Sequence, residues 1–268
     1  MNKLRKVRGR FGDMLNPEDA FLSYSPRVLP DYDVRCMAQF DSPMTREDMQ
    51  TLKNDWLTDN IISFWEEYLE HEFLARYKSS NIILLRPSMC FMILQTPDPR
   101  TLREALPDFS RATHVFLPIN DCRNVNEAEG GTHWSLLLIS IVDRIAFHYD
   151  SLYQGNVWEA DTVTRKFGYL LNMPIRFMHL SDSPQQDGGS DCGVFVCMNM
   201  RHLLMKRLLQ ASAHEKVSMS LGGRKVDAPA SRKEMAKIIE GFRKEGERRR
   251  STSASPMGKK SRSPPRVD

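Results

Sequence analysis

An apolar run from Cys192 to Leu209 follows directly on a loop of turn-forming residues, Pro184 to Asp191. This pattern predicts a buried helix that begins at Cys192. A helix N-terminus presents unpaired N–H groups and a partial positive charge, and both stabilise a thiolate. Cys192 is therefore a candidate nucleophile, and Gly193 after it is expected to admit a substrate backbone. Cys197, deeper in the same helix, fits the alternative of an ordinary buried cysteine.

The rest of the chain mixes helices and strands. Helical spacing predicts helices over Leu57–Leu69, Met89–Leu94 and Trp158–Leu171, and a capping-box spacing predicts a last helix over Lys233–Lys244. Strands are predicted at Asn81–Leu85, Val115–Ile119 and Ile175–His179, with a hairpin formed by His133–Val142 and Arg144–Tyr149. Because the two kinds of element do not alternate strictly, the pattern favours an α+β fold with a mixed, mostly antiparallel sheet flanked by helices.

Composition divides the 268 residues into three parts. Residues 1–20 show no periodicity and are expected to be disordered, residues 21–245 form the folded domain, and residues 246–268 form a basic, Ser/Pro-rich disordered tail. From Arg243 onward the chain has nine Lys/Arg and three Asp/Glu, so the rest has a net charge of −2 although the whole carries +4. A nucleic-acid-binding core is therefore not expected. The tail is either simply solvated or a nuclear-import or regulatory segment.

The cysteines and the N-terminus indicate the compartment. Five cysteines without regular spacing predict free thiols rather than a disulfide scaffold or a zinc site. The first twelve residues lack the apolar stretch of a signal peptide, and no apolar run is long enough to cross a bilayer. We expect a monomer in the cytoplasm and the nucleus, without a membrane, a metal or a cofactor.

A nucleophilic thiol needs a base, and the hairpin offers one. His133 begins the first strand, after Gly130-Gly131-Thr132, and Asp150 ends the second. Because the start of one hairpin strand lies beside the end of its partner, the two side chains are expected to meet, provided that the register does not slip. Asp150 would then orient His133 and stabilise its imidazolium form. His148 is a weaker rival base.

An oxyanion would form when the thiolate attacks a carbonyl carbon. Gln186 lies six residues before Cys192 in the same loop, and its amide together with the N–H of Cys192 is a candidate oxyanion hole. Gln185 is the rival, with a side chain expected to face the other way.

Three segments make the arrangement specific. They are G-G-T-H-W-S-L-L-L, F-H-Y-D-S and P-Q-Q-D-G-G-S-D-C-G-V-F-V-C-M-N. They resemble the Ulp/sentrin-specific cysteine protease family, which cleaves after the Gly-Gly of ubiquitin-like modifiers. The resemblance runs from about Tyr24 to Leu209. It implies a cysteine-protease fold of the Ulp/adenain type with the catalytic cysteine at a helix N-terminus, and the catalytic set His133, Asp150, Cys192 and Gln186.

The segment Asp55–Ile62 resembles the W-L-N-D motif of that family, with Thr58 where an Asn is common. The likeness implies that Trp56 and Trp134 close over the glycine tail of the modifier and that Asp59 holds the backbone of the tail. A narrow aromatic tunnel of this kind would exclude any residue larger than glycine.

Within the family, the chain is most similar to the deneddylase branch, which is specific for the Nedd/Rub modifier. The carriers of this likeness are P-I-N-D at Pro118–Asp121, the Gly-Gly before Thr132 and the short interval between His133 and Asp150. The implied partners are that modifier and its conjugates, such as cullins. The alternatives are a SUMO-specific protease, an acyltransferase with the same triad, and a non-catalytic module that binds the modifier.

Overall fold

The computed structural model describes residues 44–77, 79–124, 130–211 and 216–253. The expected disordered segment 1–20, the first part of the expected domain up to residue 43, and residues 254–268 of the expected tail lie outside the described residues. Within the described part, no helix is long and apolar enough to cross a membrane.

The described residues form six α-helices and five strands, joined by turns and loops. Helices α1 to α6 span Arg46–Asn54, Asp59–Glu72, Pro87–Gln95, Val157–Leu170, Cys192–His202 and Ala228–Ser253. Strands β1 to β5 span Ile82–Leu84, His114–Asn120, Trp134–Ser140, Ile145–Tyr149 and Arg176–His179. Short 3-10 turns lie at Leu74–Arg76 and Pro99–Leu102, and α5 continues as a π-helix over Leu203–Leu208.

The strands form one mixed sheet in the order β1-β2-β3-β4-β5. The two central pairings, β2 with β3 and β3 with β4, are antiparallel, whereas both edge strands pair in parallel. The predicted α+β class and mixed sheet are confirmed, but antiparallel pairing is confined to the centre. The hairpin has the register Leu136 opposite Tyr149 and Ser140 opposite Ile145.

Both faces of the sheet are covered by helices. Alternate residues of β3 point to opposite sides, so Leu136 and Leu138 pack with α1, α2, α5 and α6, whereas Leu137 and Ile139 pack with α3 and α4. Burial on both faces explains the unbroken apolar run of this strand. Helix α5 lies between the sheet and helices α2 and α6 and is buried from Cys192 to Met200.

The helical predictions hold, with different ends. Helix α5 starts at Cys192 as predicted. Helix α6 runs over Ala228–Ser253 rather than Lys233–Lys244, so it enters the segment that we expected to be a disordered tail. Helix α1 was not predicted, although Thr45 and Asp48 form a complete capping box at its start.

Gly193 packs closely against another part of the chain. A Cβ atom at this position would lie 2.9 Å from the Cβ atom of Leu57, in the segment between α1 and α2. The contact with Leu57 is a structural reason for a glycine here, and the expectation that Gly193 admits a substrate backbone stays a prediction. The missing side chain lets the first turn of α5 contact the segment that carries Trp56.

Replacing Gly193 by Ala should lower the free energy of unfolding by about 1–3 kcal/mol, the usual cost of an overpacked core position. The clashing atom is a Cβ close to the backbone, so a rotamer change cannot relieve it. Urea unfolding followed by circular dichroism measures the effect. Gly241→Ala is the matched control: a Cβ there meets nothing within 4 Å, so the helix should gain about 0.5–1 kcal/mol. Equal stability of Gly193→Ala and the wild type would contradict the assigned contact.

Candidate active site

Cys192 occupies the first position of α5, and 1% of its surface is exposed. Asp191 precedes it as the N-cap, and the N–H groups of the first turn point toward the loop from which the helix starts. The four described cysteines, Cys90, Cys122, Cys192 and Cys197, are free thiols, as expected. Burial raises the pKa of the Cys90 and Cys197 thiols well above the ordinary value, which suits inert packing residues.

His133 lies directly before β3 and is held through its backbone by Asp121. The Asp121 carboxylate accepts bonds from the N–H of Thr132 at 2.5 Å, the hydroxyl of Thr132 at 2.6 Å and the N–H of His133 at 3.0 Å. Gly131 has φ +91°, and a Cβ atom there would overlap the side chain of Asn120. Gly131 is thus required by the tight turn that delivers the histidine.

Asp150 follows β4 and meets His133, as the hairpin geometry predicted. Nε2 of His133 donates to Oδ1 of Asp150 at 2.6 Å. The same carboxylate accepts the backbone N–H groups of Leu152 at 3.0 Å and Asn156 at 2.8 Å, which fix its orientation. Gly155 packs on the imidazole, since a Cβ there would lie 2.7 Å from Cδ2 of His133.

The electrostatics of this pair favour a charged imidazole. Burial alone would lower the pKa of His133, but the hydrogen bond to Asp150 and the interactions with Cys192 outweigh it and raise the pKa to about 9. Burial would raise the pKa of Asp150, yet the bonds from His133 and Asn156 lower it. Nδ1 of His133 is buried and has no other partner among the described residues, so it is the nitrogen left for the sulfur of Cys192. One proton can therefore move between the sulfur of Cys192 and the imidazole of His133, while Asp150 holds the ring in place.

The rival base His148 is committed elsewhere. It is fully buried, its Nε2 bonds with the hydroxyl of Ser135 at 2.9 Å, and its Nδ1 faces Nδ1 of His179 at 3.1 Å. Burial lowers its pKa to about 3, so it stays neutral at physiological pH.

Both Gln186 and Gln185 form hydrogen bonds with the residues that follow β4, but they bond to different groups. The backbone N–H of Gln186 donates to the carbonyl of Ser151 at 2.9 Å, and its Oε1 accepts the Ser151 hydroxyl at 2.7 Å. Its Nε2 donates to the Gly188 carbonyl at 2.6 Å, which leaves the second N–H of the amide for an oxyanion. Gln185 instead donates to the carbonyls of Asp150 and Ser183, which gives it a structural role.

A cavity of about 280 Å³ is lined by His133 and by both of the tryptophans that the sequence singled out. It is lined by Trp56, Asp59, Gly130, Gly131, His133 and Trp134, among others. The Trp56 side chain is 50% exposed, and its Nε1 donates to the Gly189 carbonyl at 2.9 Å, so it bridges to the loop before Cys192. The glycine-lined wall and the two indoles suit an extended chain without side chains.

Asp59 begins helix α2, and a carboxylate from α1 holds its surroundings. Asp48 is buried and accepts the Thr58 hydroxyl at 2.6 Å and the Asn60 amide at 3.2 Å. The departure at Thr58 from the usual Asn therefore keeps a hydrogen-bonding role. Sequence reasoning missed Asp48; its position in the capping box of α1 was the available signal.

Two further residues that support the site were also missed. Asp121 was noted only as part of P-I-N-D, although an acidic residue at a strand end beside a Gly-Gly turn was a usable signal. Asn156 is buried and donates to the carbonyls of Ile119 at 3.1 Å and His133 at 3.2 Å. A single Asn in a loop carries no comparable signal in the sequence.

Asp150→Asn should move the alkaline limit of activity to lower pH. In the wild type, imidazolium persists at neutral pH and is lost as the pH rises through about 9. Without the carboxylate, burial dominates and the pKa of His133 falls, so kcat/KM at pH 7.5 should drop by about 10²-fold or more. The measurement is a kcat/KM–pH profile, with Asp143→Asn in the hairpin turn as the control. An unmoved alkaline limb would contradict the role of Asp150.

Ser151→Ala should lower kcat by about fivefold, the equivalent of one hydrogen bond of about 1 kcal/mol. The hydroxyl fixes which end of the Gln186 amide faces Gly188 and the nucleophile. A double-mutant cycle tests this: in a Gln186→Ala background, Ser151→Ala should have no further effect. Ser183→Ala, whose hydroxyl donates to the Leu180 carbonyl in the same loop, should leave kcat unchanged. Additive losses would show that Ser151 acts independently of Gln186.

Several named proteins are similar in sequence to this chain. Residues 55–244 match the model of the Ulp1 protease family, C-terminal catalytic domain. NEDD8-specific protease 2 of Schizosaccharomyces pombe is 39% identical over 188 residues, which cover 69% of this chain and 45% of that protein. NEDD8-specific protease 1 of the same species is 31% identical over 224 residues, covering 82% and 51%. This chain spans about half the length of these two relatives.

The fold has a solved counterpart. The C-terminal Ulp1 protease domain in complex with Smt3, the yeast ortholog of SUMO, superposes with a TM-score of 0.56 at 19% sequence identity. The match covers 87% of this chain and 99% of that one. At this identity the likeness concerns the fold. With the family model matched over more than half of its residues, this chain belongs to the Ulp1 protease family.

Proposed function

We propose that this chain is a thiol protease that hydrolyses the peptide or isopeptide bond after the terminal Gly-Gly of a ubiquitin-like modifier. The observation that carries the proposal is that His133, bonded to Asp150 at 2.6 Å and interacting with Cys192, lines the same cavity as Trp56 and Trp134. This arrangement supplies a nucleophile, an acid–base group and a channel for a chain without side chains.

The chemistry proceeds in two halves. The thiolate of Cys192 attacks the carbonyl carbon of the last glycine, and the oxyanion is stabilised by Gln186 and the N–H of Cys192. Imidazolium at His133 gives its proton to the leaving amine as the C–N bond breaks, which leaves a thioester. Neutral His133 then accepts a proton from water as the water oxygen attacks the thioester carbon. The C–S bond breaks, which restores the Cys192 thiolate and the His133 imidazolium, and the carboxylic acid product loses its proton to solvent.

A modifier of the NEDD8 type is our first choice of substrate, which makes the protein a deneddylase. The support comes from the relatives named NEDD8-specific proteases and from the P-I-N-D segment with its Gly-Gly turn. A SUMO-specific protease is the second choice. We further propose that the protein acts as a monomer, in the cytoplasm and the nucleus, on conjugates such as modified cullins.

A panel of C-terminal fluorogenic NEDD8, SUMO and ubiquitin substrates, compared by kcat/KM, tests the proposal. We expect kcat/KM for the NEDD8 substrate to exceed that for the others by at least about 100-fold. This ratio corresponds to about 2.7 kcal/mol of differential binding. Cys192→Ala should abolish cleavage and keep modifier binding, because only the nucleophile is removed. Cys197→Ala, a thiol of the same helix, is the matched control and should retain activity.

Three results would contradict the proposal in different ways. A preference for SUMO would mean that the modifier is SUMO rather than NEDD8, and it would leave the proposed chemistry unchanged. Cleavage by Cys192→Ala would reject the nucleophile. Binding of modifiers without cleavage by the wild type would indicate a non-catalytic module.

A further inference from the structure

Arg232 is a cation buried inside the domain. It lies in the first turns of α6, and only 3% of its surface is exposed. A buried guanidinium costs free energy unless its N–H groups are paired, and here each nitrogen has a partner. Nε donates to Oδ1 of Asp191 at 2.9 Å, Nη2 to the carbonyl of Ser190 at 2.7 Å, and Nη1 to the carbonyl of Thr51 at 2.8 Å.

These partners belong to two separate parts of the candidate site. Ser190 and Asp191 are the two residues directly before Cys192, whereas Thr51 lies in the last turn of α1, which leads to Trp56. One planar guanidinium therefore joins the nucleophile loop to the segment that forms the tryptophan wall of the cavity. A rigid fork suits this task, because its donors reach three acceptors in fixed directions.

Other contacts join the same two segments. The Ser190 hydroxyl donates to the Asn54 carbonyl at 3.0 Å, and Trp56 Nε1 donates to the Gly189 carbonyl at 2.9 Å. Both are at exposed positions, whereas the Arg232 side chain is buried and its contacts are partly buried. Bonds shielded from water hold geometry better than exposed ones, so the guanidinium is the inner support of this junction.

The ion pair with Asp191 also affects charge at the nucleophile. The Asp191 carboxylate lies one residue before Cys192 and is paired with the Arg232 guanidinium at 2.9 Å. The guanidinium therefore offsets the negative charge of the carboxylate at the start of α5.

We propose that Arg232 is a positioning residue that holds the loop before Cys192 and the segment leading to Trp56 in one arrangement. The inference rests on the proposed function of Cys192 as the nucleophile. Helix α6, which is remote in sequence from the catalytic residues, is then a part of the active site.

The test compares Arg232→Met, Arg232→Lys and Glu234→Gln with the wild type, all in the full chain. Glu234→Gln is the matched control: it breaks the ion pair of α6 with Arg201, 2.7 Å between Nη1 and Oε1, but does not touch the loop. Hydrogen–deuterium exchange of residues 51–57 and 188–191 reports the junction without any modifier. Steady-state kinetics on the best substrate of the panel, corrected for the fraction of active sites by titration with a modifier carrying a C-terminal electrophile, report its effect on turnover.

In Arg232→Met, we expect faster exchange in both segments, a kcat reduced by about 10- to 100-fold, and a KM changed by less than about threefold, because the nucleophile is misplaced rather than lost. Arg232→Lys should fall between Met and wild type, since one ammonium cannot span the three acceptors. Glu234→Gln should show neither change.

Unchanged kcat per active site in a folded Arg232→Met, or an equal loss in Glu234→Gln, would overturn the proposal. If Arg232→Met does not fold, the same comparison between Arg232→Lys and Glu234→Gln decides. If the wild type cleaves no member of the panel, the proposed function fails, while the exchange data still decide whether Arg232 joins the two segments.

Discussion

The antiparallel pairing of β3 with β4 is the constraint on which the site depends. With Leu136 opposite Tyr149, the residues just beyond the ladder on each strand, His133 and Asp150, come within 2.6 Å. A slip of one residue would turn every side chain of β4 to the other face. Because both faces of the sheet are packed against helices, such a slip would put side chains of the wrong size and polarity into both packed layers. The packing that stabilises the fold therefore also fixes the geometry of the His133–Asp150 pair.

Carboxylates at the ends of elements hold the remaining parts. Asp150 accepts two backbone N–H groups besides the imidazole, Asp121 accepts those of Thr132 and His133, and Asp48 anchors the start of α2. Asp150 and Asp121 use backbone N–H groups that the strand ladders leave unpaired, so satisfying these groups costs no regular structure, whereas Asp48 accepts side-chain donors from Thr58 and Asn60. Asp191 differs in that its own charge is offset by a buried cation. These contacts therefore join β2, β3 and β4 at His133, and α1, α2, α5 and α6 at Asp48 and Arg232.

The sequence patterns predicted those features that depend on residues close together in the chain. Periodicity and turn residues predicted the start of α5 at Cys192 and the hairpin with His133 and Asp150 at one edge. The contact of Gly193 with Leu57 joins residues far apart in the sequence, and no periodicity reports the partner of a glycine. Arg232 likewise occurs in a charged helical segment, where an arginine is typical of a solvated surface, and Thr51 is 181 positions away. Such contacts follow from packing of whole helices, which the sequence of one segment does not specify.

The residues that line the channel also limit which modifiers the candidate site can distinguish. A channel lined by glycines and indoles selects against side chains near the scissile bond, and every modifier that ends in Gly-Gly meets that requirement equally. The hydrogen bond to Asp150 keeps the His133 ring charged against the opposing effect of burial, and this balance does not depend on the modifier. Under the proposed function, a preference for NEDD8 over SUMO must therefore arise where the folded body of the modifier contacts the protein surface outside the channel. Substitutions within the channel should change turnover for all modifiers together, whereas those that change preference should lie outside it.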